Sequence, residues 1–524
     1  MRFGERADYR GTVLWAAGFL TIMALHFLWS WFNDTPPVWD MASHQLMGWS
    51  YLDAWREGAF WSRFAELSTY YPPLYYLQEA FVLGTVGDTK YLPLLANLPG
   101  LFLLSWCTFR IGTRFLDPAT AASAGLLSLL LPLVTWISRE SLLDVALSGW
   151  VALGLYLLIR SEDLQKRRVV LLFGATAAAG LLTKWTFGVF LIVPVLFFLL
   201  RSSNRKVSLA NLGFAAVLAI PVASIWYYPN LGNLYERFQS TASAGVTDEQ
   251  DPGFASWLGL VYYLRSLSSY YLFLPLSLAA MSSLVLTCWR SAKNIGRKTP
   301  RHSNARTLMW LTLGSGLLIM TLLQAKDPRY IMPVASVLSL VILAPWKSRS
   351  WVSLLLLGIA FVQFLLISFP FPFTPPKIAF QVKENDPAYV GMGREWVLFE
   401  PDYFGVSGPA RRQNWRYEEI LGPIEAGARV AFLPEMPFFH VPALQLAARK
   451  AGKELSVFRV GQDPDSLERL DSAGWVIGKT GSQGLAHLTS ANQEIYQALE
   501  QKKWSVEGFW DLPDGSQVRL WRRP

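Results

Sequence analysis

A short polar stretch between two apolar runs carries two cations, a carboxylate and a phenol: Lys326, Asp327, Arg329 and Tyr330. Lysine and arginine side chains at a membrane surface suit the phosphate or diphosphate of a lipid. Anchoring of the flanking helices is the alternative, but it explains little, because these cations face away from the other basic loops. The stretch therefore predicts a phosphate-binding site.

A second cation, Lys184, lies between two apolar runs that are joined by almost no loop. A buried or interfacial cation needs an anion, so a bound phosphate is one interpretation. The other is a lysine whose aliphatic stem lies in the apolar layer while its ammonium group reaches the membrane surface. The sequence leaves both open.

Two carboxylates stand at the ends of apolar runs. Asp40 follows a Pro-Pro-Val-Trp stretch after the first run, and Asp144 begins the fourth. For Asp40, the structural alternative is a carboxylate that interacts with the positive end of a helix dipole. A carboxylate such as Asp144 at a membrane boundary is costly unless it is paired, and Arg139 is the obvious partner. A structural ion pair between them is therefore a competing interpretation.

An aromatic cluster surrounds a Pro-Pro pair and includes Tyr71 and Tyr75. Such a surface suits stacking against a sugar or contact with lipid, and an aromatic belt at the membrane interface explains it equally well. His44 lies four residues after Asp40 and shares its predicted helix face. A metal site there is only weakly indicated, because the five histidines show no metal-ligand spacing.

Long apolar runs must position these residues. The chain has 524 residues, of which 52% are hydrophobic and only 16% charged. This composition excludes a disordered chain, a coiled coil and an ordinary soluble enzyme. The runs predict about eleven membrane-spanning helices, at 13–32, 92–115, 119–137, 144–160, 169–184, 185–200, 207–228, 258–288, 306–324, 331–346 and 351–369.

The charged loops predict the orientation in the membrane. Basic residues, which give a net charge of +9, lie mostly in the loops on one side of the predicted spans. By the positive-inside rule that side is cytoplasmic, so the charge indicates topology and not binding of nucleic acid. The pattern holds only if 72–87 does not cross, which predicts an interfacial or re-entrant helix. The candidate residues then lie on the opposite face.

The chain changes character after a Pro-rich linker at 370–378. Charge rises, and strand patterns at 427–433, 455–460, 474–478 and 517–521 alternate with helix patterns at 441–452 and 492–503. Alternation of this kind predicts a small α/β domain outside the membrane. We therefore expect a transmembrane domain over 1–370 and an extracytoplasmic α/β domain over 371–524.

The order of these motifs resembles the GT-C superfamily of integral membrane glycosyltransferases, in its bacterial branch related to protein O-mannosyltransferases and the lipid A aminoarabinose transferase. The matching pieces, in the family's order, are Asp40, the Pro-Pro-Leu-Tyr segment 72–75, Arg139 with Asp144, Leu-Thr-Lys at 182–184, and the Lys-x-Pro-Arg-Tyr-x-x-Pro element 326–333. The resemblance implies a polytopic α-helical membrane protein with about eleven transmembrane helices, interfacial helices and a small C-terminal α/β domain.

The resemblance also implies a reaction: transfer of a sugar, with inversion, from a polyprenyl-phosphate donor to a lipid, glycan or protein acceptor. Asp40 would be the general base, and Asp144 would shape the same site or hold a metal, with Mg²⁺ or Mn²⁺ near the two as a candidate cofactor. The implied contacts to the donor phosphate are Arg139, Lys184, Lys326, Arg329 and Tyr330, and those to sugar or acceptor are His44, Tyr71 and Tyr75.

Two departures from the family's pattern concern the acceptor and the metal. Met41 stands where the family often has a glutamate, and His44 where a tyrosine is common. We expect a bacterial inner-membrane protein with a cytoplasmic N-terminus and a periplasmic C-terminal domain. A transporter of lipid-linked sugar or solute and a non-catalytic scaffold in envelope polysaccharide assembly are the alternatives, although no internal repeat of the kind common in transporters is visible.

Overall fold

The computed structural model describes residues 3–247, 251–293, 303–381, 395–403, 405–461, 466–484 and 486–524. Helices make up the chain as far as Leu366, and the strands follow it. The first nine helices are α1 Phe3–Phe32, α2 Trp39–Arg56, α3 Phe60–Arg63, α4 Leu74–Thr85, α5 Leu92–Gly112, α6 Pro118–Leu130, α7 Pro132–Ile137, α8 Asp144–Arg160 and α9 Arg167–Thr183.

Seven more α-helices complete this part: α10 Ile192–Arg201, α11 Arg205–Thr247, α12 Trp257–Ser266, α13 Phe273–Lys293, α14 Ser303–Leu322, α15 Ala335–Leu343 and α16 Ser350–Leu366. A π-helical turn, Leu267–Leu272, joins α12 to α13, and 3-10 turns at Trp185–Phe190, Pro328–Val334 and Ala344–Trp346 precede or follow other helices. Each of the eleven predicted apolar runs contains helix, which confirms a polytopic helical protein.

Within the described residues, six helical stretches are long and apolar enough to cross a membrane by length and composition: 9–32, 92–112, 205–237, 257–293, 305–322 and 328–346. Three shorter apolar stretches lie at 118–130, 185–201 and 350–366. The exact count of eleven spans therefore stays a prediction. Helix α4 has 12 residues and a length of about 18 Å, less than the roughly 30 Å of a bilayer core. Its length favours the interfacial or re-entrant position expected for 72–87.

Glycines allow the helices around the candidate residues to approach closely. A Cβ added at Gly149 of α8 would lie 2.6 Å from the carbonyl oxygen of Gly100 on α5. A Cβ at Gly48 of α2 would lie 2.8 Å from the Cβ of Glu79 on α4. Both distances are shorter than van der Waals contact, so only glycine fits without a shift of the neighbour. These contacts seat α8 on α5, and α4 on α2.

The strands form two sheets. Strands β1 Ile378–Gln381 and β2 Glu395–Phe399 make an antiparallel pair. The larger sheet has the order β4-β3-β5-β7-β6, from β3 Arg429–Phe432, β4 Ser456–Arg459, β5 Trp475–Lys479, β6 Ser505–Asp511 and β7 Gln517–Arg522. Strand β3 pairs in parallel with β4 and β5, whereas β7 pairs antiparallel with β5 and β6.

The helices of this part are α17 Tyr417–Leu421, α18 Val441–Lys450, α19 Ser466–Leu470, α20 Ala486–Thr489 and α21 Asn492–Gln501. The structure confirms the strands predicted near 427–433, 455–460, 474–478 and 517–521, and both predicted helices. It adds β1, β2 and β6, which sequence analysis missed. Most residues of β6 are exposed or half-buried, so β6 lacks the run of buried apolar residues that marks β5.

Candidate active site

Lys184 and Asp144 form a buried ion pair. The Lys184 Nζ lies 2.8 Å from the Asp144 Oδ1, and the two side chains are 5% and 4% exposed. Asp144 is the first residue of α8, where a carboxylate interacts favourably with the helix dipole, and Lys184 caps the C-terminal end of α9, where a cation does so. The ammonium group has three N–H donors, so the bond to Asp144 leaves donors for a ligand.

Two tyrosine rings flank the ammonium group of Lys184. Its Nζ lies 5.5 Å from the ring centre of Tyr71 and 5.1 Å from that of Tyr330. A cation at such a distance is attracted to the electron-rich face of an aromatic ring. The structure thus brings together Lys184, Asp144, Tyr71 and Tyr330, which are far apart in sequence.

Arg329 is held by its neighbour Asp327. The Arg329 Nε and a terminal nitrogen lie 2.8 Å and 2.6 Å from the Asp327 Oδ2. The other oxygen, Oδ1, accepts the Arg329 backbone N–H at 2.7 Å and so caps the 3-10 turn Pro328–Val334. The Tyr271 hydroxyl donates to the Pro328 carbonyl oxygen at 2.8 Å, which fixes the turn from a second helix. This arrangement orients the guanidinium group.

His44 faces the same region from α2. Its Nδ1 lies 2.7 Å from the Ser141 carbonyl oxygen. Because a carbonyl only accepts, Nδ1 carries the proton and Nε2 keeps its lone pair. The rings of Tyr71, Tyr75 and Tyr76 surround the imidazole at 5.9, 6.5 and 5.4 Å. The three residues predicted to bind sugar or acceptor, His44, Tyr71 and Tyr75, therefore lie together.

Asp40 lies in the first turn of α2 and is exposed. Within the part of the chain that the structure describes, its carboxylate forms no hydrogen bond or ion pair. Burial lowers the pKa of His44, and the carboxylates of Asp40 and Asp144 both oppose that effect. Both carboxylates therefore lie within electrostatic range of His44, yet only Asp144 has a cationic partner. An accessible, unpaired carboxylate is the form that a proton acceptor requires.

Arg139 does not pair with Asp144, so this prediction was wrong. Its Nε donates to the His26 Nδ1 at 3.1 Å, and a terminal nitrogen donates to the Ser368 hydroxyl. The guanidinium group also stacks over the Trp29 ring, 4.6 Å from its centre. The reason is geometric, because Arg139 precedes α8 on the side of α1 and α16, whereas Asp144 faces the end of α9.

Lys326 serves as a helix cap. Its Nζ donates to backbone carbonyls of Met320, Thr321 and Leu323 at the end of α14, including one at 2.6 Å from Thr321. Those carbonyls have no partner within the helix, so a lysine ammonium satisfies them. The Lys326 side chain is buried. Its predicted contact with a phosphate stays a prediction, and in this geometry its donors point to the helix end.

Sequence analysis did not single out Glu79, which is fully buried on α4 next to Gly48 and Tyr75. Burial raises the pKa of Glu79 to about 8. A glutamate within an otherwise apolar helix was the available signal. The sequence placed Asp327 in the polar stretch that contains Arg329. Its contacts with Arg329 could not be predicted without the geometry of the turn.

The described residues contain no group of three or more His, Cys, Asp or Glu side chains that could hold a metal ion. Asp40 and Asp144 alone do not make such a group, and His302 lies outside the described residues. The Mg²⁺ or Mn²⁺ considered from the resemblance stays an expectation. The charge available to a bound anion comes from Lys184 and Arg329.

Comparisons with known proteins show which family and which solved structures this chain is similar to. Residues 72–228 match the family model described as dolichyl-phosphate-mannose-protein mannosyltransferase, and no curated protein sequence matches the chain. The structure of ArnT from Cupriavidus metallidurans bound to undecaprenyl phosphate is 13% identical with a TM-score of 0.59, over 97% of both chains. Its apo state is 12% identical with a TM-score of 0.57, over 96% of this chain and 98% of that one.

A third solved structure is the oligosaccharyltransferase AglB from Archaeoglobus fulgidus in complex with an inhibitory peptide and a dolichol-phosphate. It is 11% identical with a TM-score of 0.52, over 99% of this chain and 74% of that one. The matched segment 72–228 contains Asp144 and Lys184, whereas Tyr71 and Tyr330, whose rings flank Lys184, lie outside it. The chain therefore shares its overall fold with ArnT and AglB, and this fold and the family match over 72–228 bear out the resemblance stated from its sequence.

Proposed function

We propose that this protein transfers a sugar from a polyprenyl-phosphate donor to an acceptor outside the cytoplasm, with inversion at the anomeric carbon. The observation that carries the proposal is the contrast between two carboxylates within range of His44. Asp144 is buried and neutralised by Lys184, whereas Asp40 is exposed and unpaired among the described residues. One carboxylate suits a structural and electrostatic role, and the other suits proton transfer.

A lipid-linked donor is supported by what is known of the similar proteins. The ArnT structure holds undecaprenyl phosphate, and the AglB structure holds a dolichol-phosphate. The family matched over 72–228 is described by a dolichyl-phosphate-mannose donor. An undecaprenyl-phosphate-type donor enters from the bilayer with its phosphate at headgroup depth, where Lys184 and Arg329 offer positive charge. The acceptor is a lipid, glycan or protein group.

In the proposed reaction, Asp40 removes the proton from an acceptor hydroxyl or amine as that atom attacks the anomeric carbon. The bond between the anomeric carbon and the phosphate oxygen breaks, and its electron pair leaves with the phosphate. Lys184 and Arg329 stabilise the charge that develops there, so no protonated acid is required. A glycosidase with paired carboxylates would need such an acid.

The remaining residues divide between the two ends of the donor. Tyr330, whose ring faces the ammonium group of Lys184, is proposed to contact the phosphate. His44, Tyr71 and Tyr75 are proposed to contact the sugar or the acceptor. Asp144 holds Lys184 in place. The contacts of Arg139 and Lys326 with His26, Ser368 and the end of α14 favour a supporting role for both.

We further propose the division into a transmembrane domain over 1–370 and an extracytoplasmic domain over 371–524. The setting that fits this division is a bacterial inner membrane, with the N-terminus in the cytoplasm and the reaction on the periplasmic face.

The test is release or transfer of labelled sugar from a panel of polyprenyl-phosphate sugars by the purified protein. Wild-type protein is expected to consume one donor of the panel, and Asp40→Asn none. Asp34→Asn is the matched control, because Asp34 is an exposed carboxylate six positions earlier, in the loop before α2, and pairs with Lys90 at 3.4 Å. Donor that is transported or bound without ever being cleaved would contradict the transferase and favour the alternatives.

A further inference from the structure

The C-terminal domain holds Trp39, the residue directly before Asp40. The backbone N–H of Trp39 lies 2.8 Å from the His440 Nε2. The Trp39 ring also lies against the His440 ring, with their centres 6.3 Å apart. The C-terminal domain thus contacts Trp39, at the start of α2, through both its backbone and its side chain.

The backbone at Trp39 needs such support. Its φ is +29°, in a region that residues other than glycine rarely adopt. Backbone strain of this kind persists only where surrounding contacts hold it, and it is common at functional sites. Release of Trp39 would let the first turn of α2 relax, and that turn carries Asp40.

His440 lies at the start of a helix in its own domain. It is the N-cap of α18, where its Nδ1 lies 3.3 Å from the Ala443 backbone nitrogen. The ring is fully buried, and its Nε2 also lies 3.2 Å from the Pro37 carbonyl oxygen. Burial lowers the pKa of His440 to about 4, so the ring is neutral at pH 7. The shorter contact assigns the free lone pair to Nε2, which accepts from Trp39 at 2.8 Å. Nδ1 therefore carries the proton and does not accept from Ala443.

The two helices α2 and α18 are joined at both ends. His440 precedes α18 and contacts the start of α2, whereas Arg449 in the last turn of α18 lies 2.6 Å from Asp53 in the last turn of α2. The Arg449 pair is partly exposed, with side chains 39% and 26% accessible. An exposed pair contributes little, so the buried contact at Trp39 is the one that fixes α2.

We propose that His440 is a positioning residue, which holds Trp39 so that the carboxylate of Asp40 meets the acceptor in the correct geometry. The inference rests on the proposed role of Asp40 as the base. It assigns the C-terminal domain a part in catalysis: the domain completes the site through the backbone of α2 without contacting the substrate.

Two substitutions separate the contact with Trp39 from the capping of α18. In His440→Asn, the Oδ1 suits the N-cap position of α18, so the helix gains a capping acceptor and the contact to Trp39 is lost. In His440→Gln, the Oε1 stands near the position of Nε2, so an acceptor for Trp39 is kept and no cap is added. Arg449→Ala, which removes the partly exposed contact of the same helix, is the control.

Steady-state kinetics in the full-length protein provide the main measurement. We expect His440→Asn to lower kcat by about 10-fold to 100-fold, the range for misplacement of a reacting group by roughly an ångström, with the KM for the donor unchanged. His440→Gln is expected to retain kcat, and Arg449→Ala to retain both kcat and Tm. Wild-type kcat in His440→Asn, or equal loss in both His440 variants that follows their Tm, would overturn the proposal.

Hydrogen exchange supplies a readout that does not depend on activity. We expect the backbone amides of 38–44 to exchange faster in His440→Asn than in wild type, and to stay protected in His440→Gln. Unchanged protection in His440→Asn would overturn the inference even in an active protein. If wild-type protein cleaves no donor but these amides respond to the substitutions as expected, the proposed function is contradicted. The contact of His440 with Trp39 would still be established.

Discussion

At the scale of single residues, the ion pair Lys184–Asp144 places one buried positive and one buried negative charge in the site. Two charges that are 5% and 4% exposed have lost most of their hydration, so each depends on the other. An anion that enters beside them meets a cation already fixed in place. The pair therefore links the stability of the protein to its proposed affinity for a phosphate.

Substitution of one partner tests this link. Lys184→Met leaves a buried carboxylate without compensation, and we expect it to lower the free energy of unfolding by about 3–5 kcal/mol and to weaken donor binding. The double variant Lys184→Met/Asp144→Asn should regain much of the stability and none of the affinity. Thermal melting and donor titration of the three proteins measure both. Equal destabilisation in single and double variants would refute the coupling.

Glu79 offers a pH-dependent test. Burial raises the pKa of Glu79 to about 8, so between its ordinary value and pH 8 the folded protein binds one more proton than the unfolded chain. Stability should then fall as pH rises through this window, by up to about 1.4 kcal/mol per pH unit.

Removal of the ionisable group should remove that dependence. We expect Glu79→Gln to have a higher Tm than wild type at pH 8 and a similar Tm at pH 5. Glu66→Gln, at an exposed position outside α4, serves as the control and should follow wild type. A Tm of Glu79→Gln that falls with pH as steeply as that of wild type would show that Glu79 does not titrate in this way.

At the scale of elements, close helix packing places Asp144 against Lys184. The contact between α5 and α8 depends on Gly149, whose added Cβ would lie 2.6 Å from the Gly100 carbonyl oxygen. A backbone atom cannot move aside as a flexible side chain can, so the helices must separate.

Gly149→Ala is therefore expected to cost about 1–3 kcal/mol of stability, as overpacking does, and to lower transfer activity because Asp144 shifts with α8. Gly358→Ala in α16 is the matched control, since a Cβ there would meet no atom within 4 Å. Melting temperature and activity of both variants provide the comparison. A Gly149→Ala protein as stable and active as Gly358→Ala would contradict this view of the packing.

Elements were more predictable from the sequence than contacts. Apolar runs long enough to form membrane helices, and alternating strand and helix patterns after residue 370, are local signals that the structure confirms. Which cation pairs with Asp144 depends on how α8 meets the end of α9, and nothing local reports that. From the sequence, Arg139 was the expected partner because it lies five residues from Asp144. Lys184, the actual partner, lies forty residues from Asp144. The strained Trp39 and its contact with His440 needed the tertiary structure for the same reason.

At the scale of the whole molecule, the predicted orientation joins the site to the C-terminal domain on one face of the membrane. Asp40 lies in the first turn of α2, and the domain contacts α2 through His440 and Arg449. If the positive-inside rule holds, the basic loop at 201–206 lies on the opposite side.

Reporter fusions test this orientation. A reporter after residue 524 should read as extracytoplasmic, and one inserted at residue 203, between α10 and α11, as cytoplasmic. Accessibility of the reporters in intact cells is the measurement. The same side for both, or a cytoplasmic C-terminus, would contradict the predicted topology and the periplasmic site.

The central claim is that Asp40 acts as a base in the chemical step without contributing to the hold on the donor phosphate. The most direct measurement compares donor affinity and turnover of wild type and Asp40→Asn in full-length protein. The account predicts an unchanged Kd for the polyprenyl-phosphate sugar and a loss of turnover of about 100-fold or more. Turnover in Asp40→Asn close to that of wild type would contradict it.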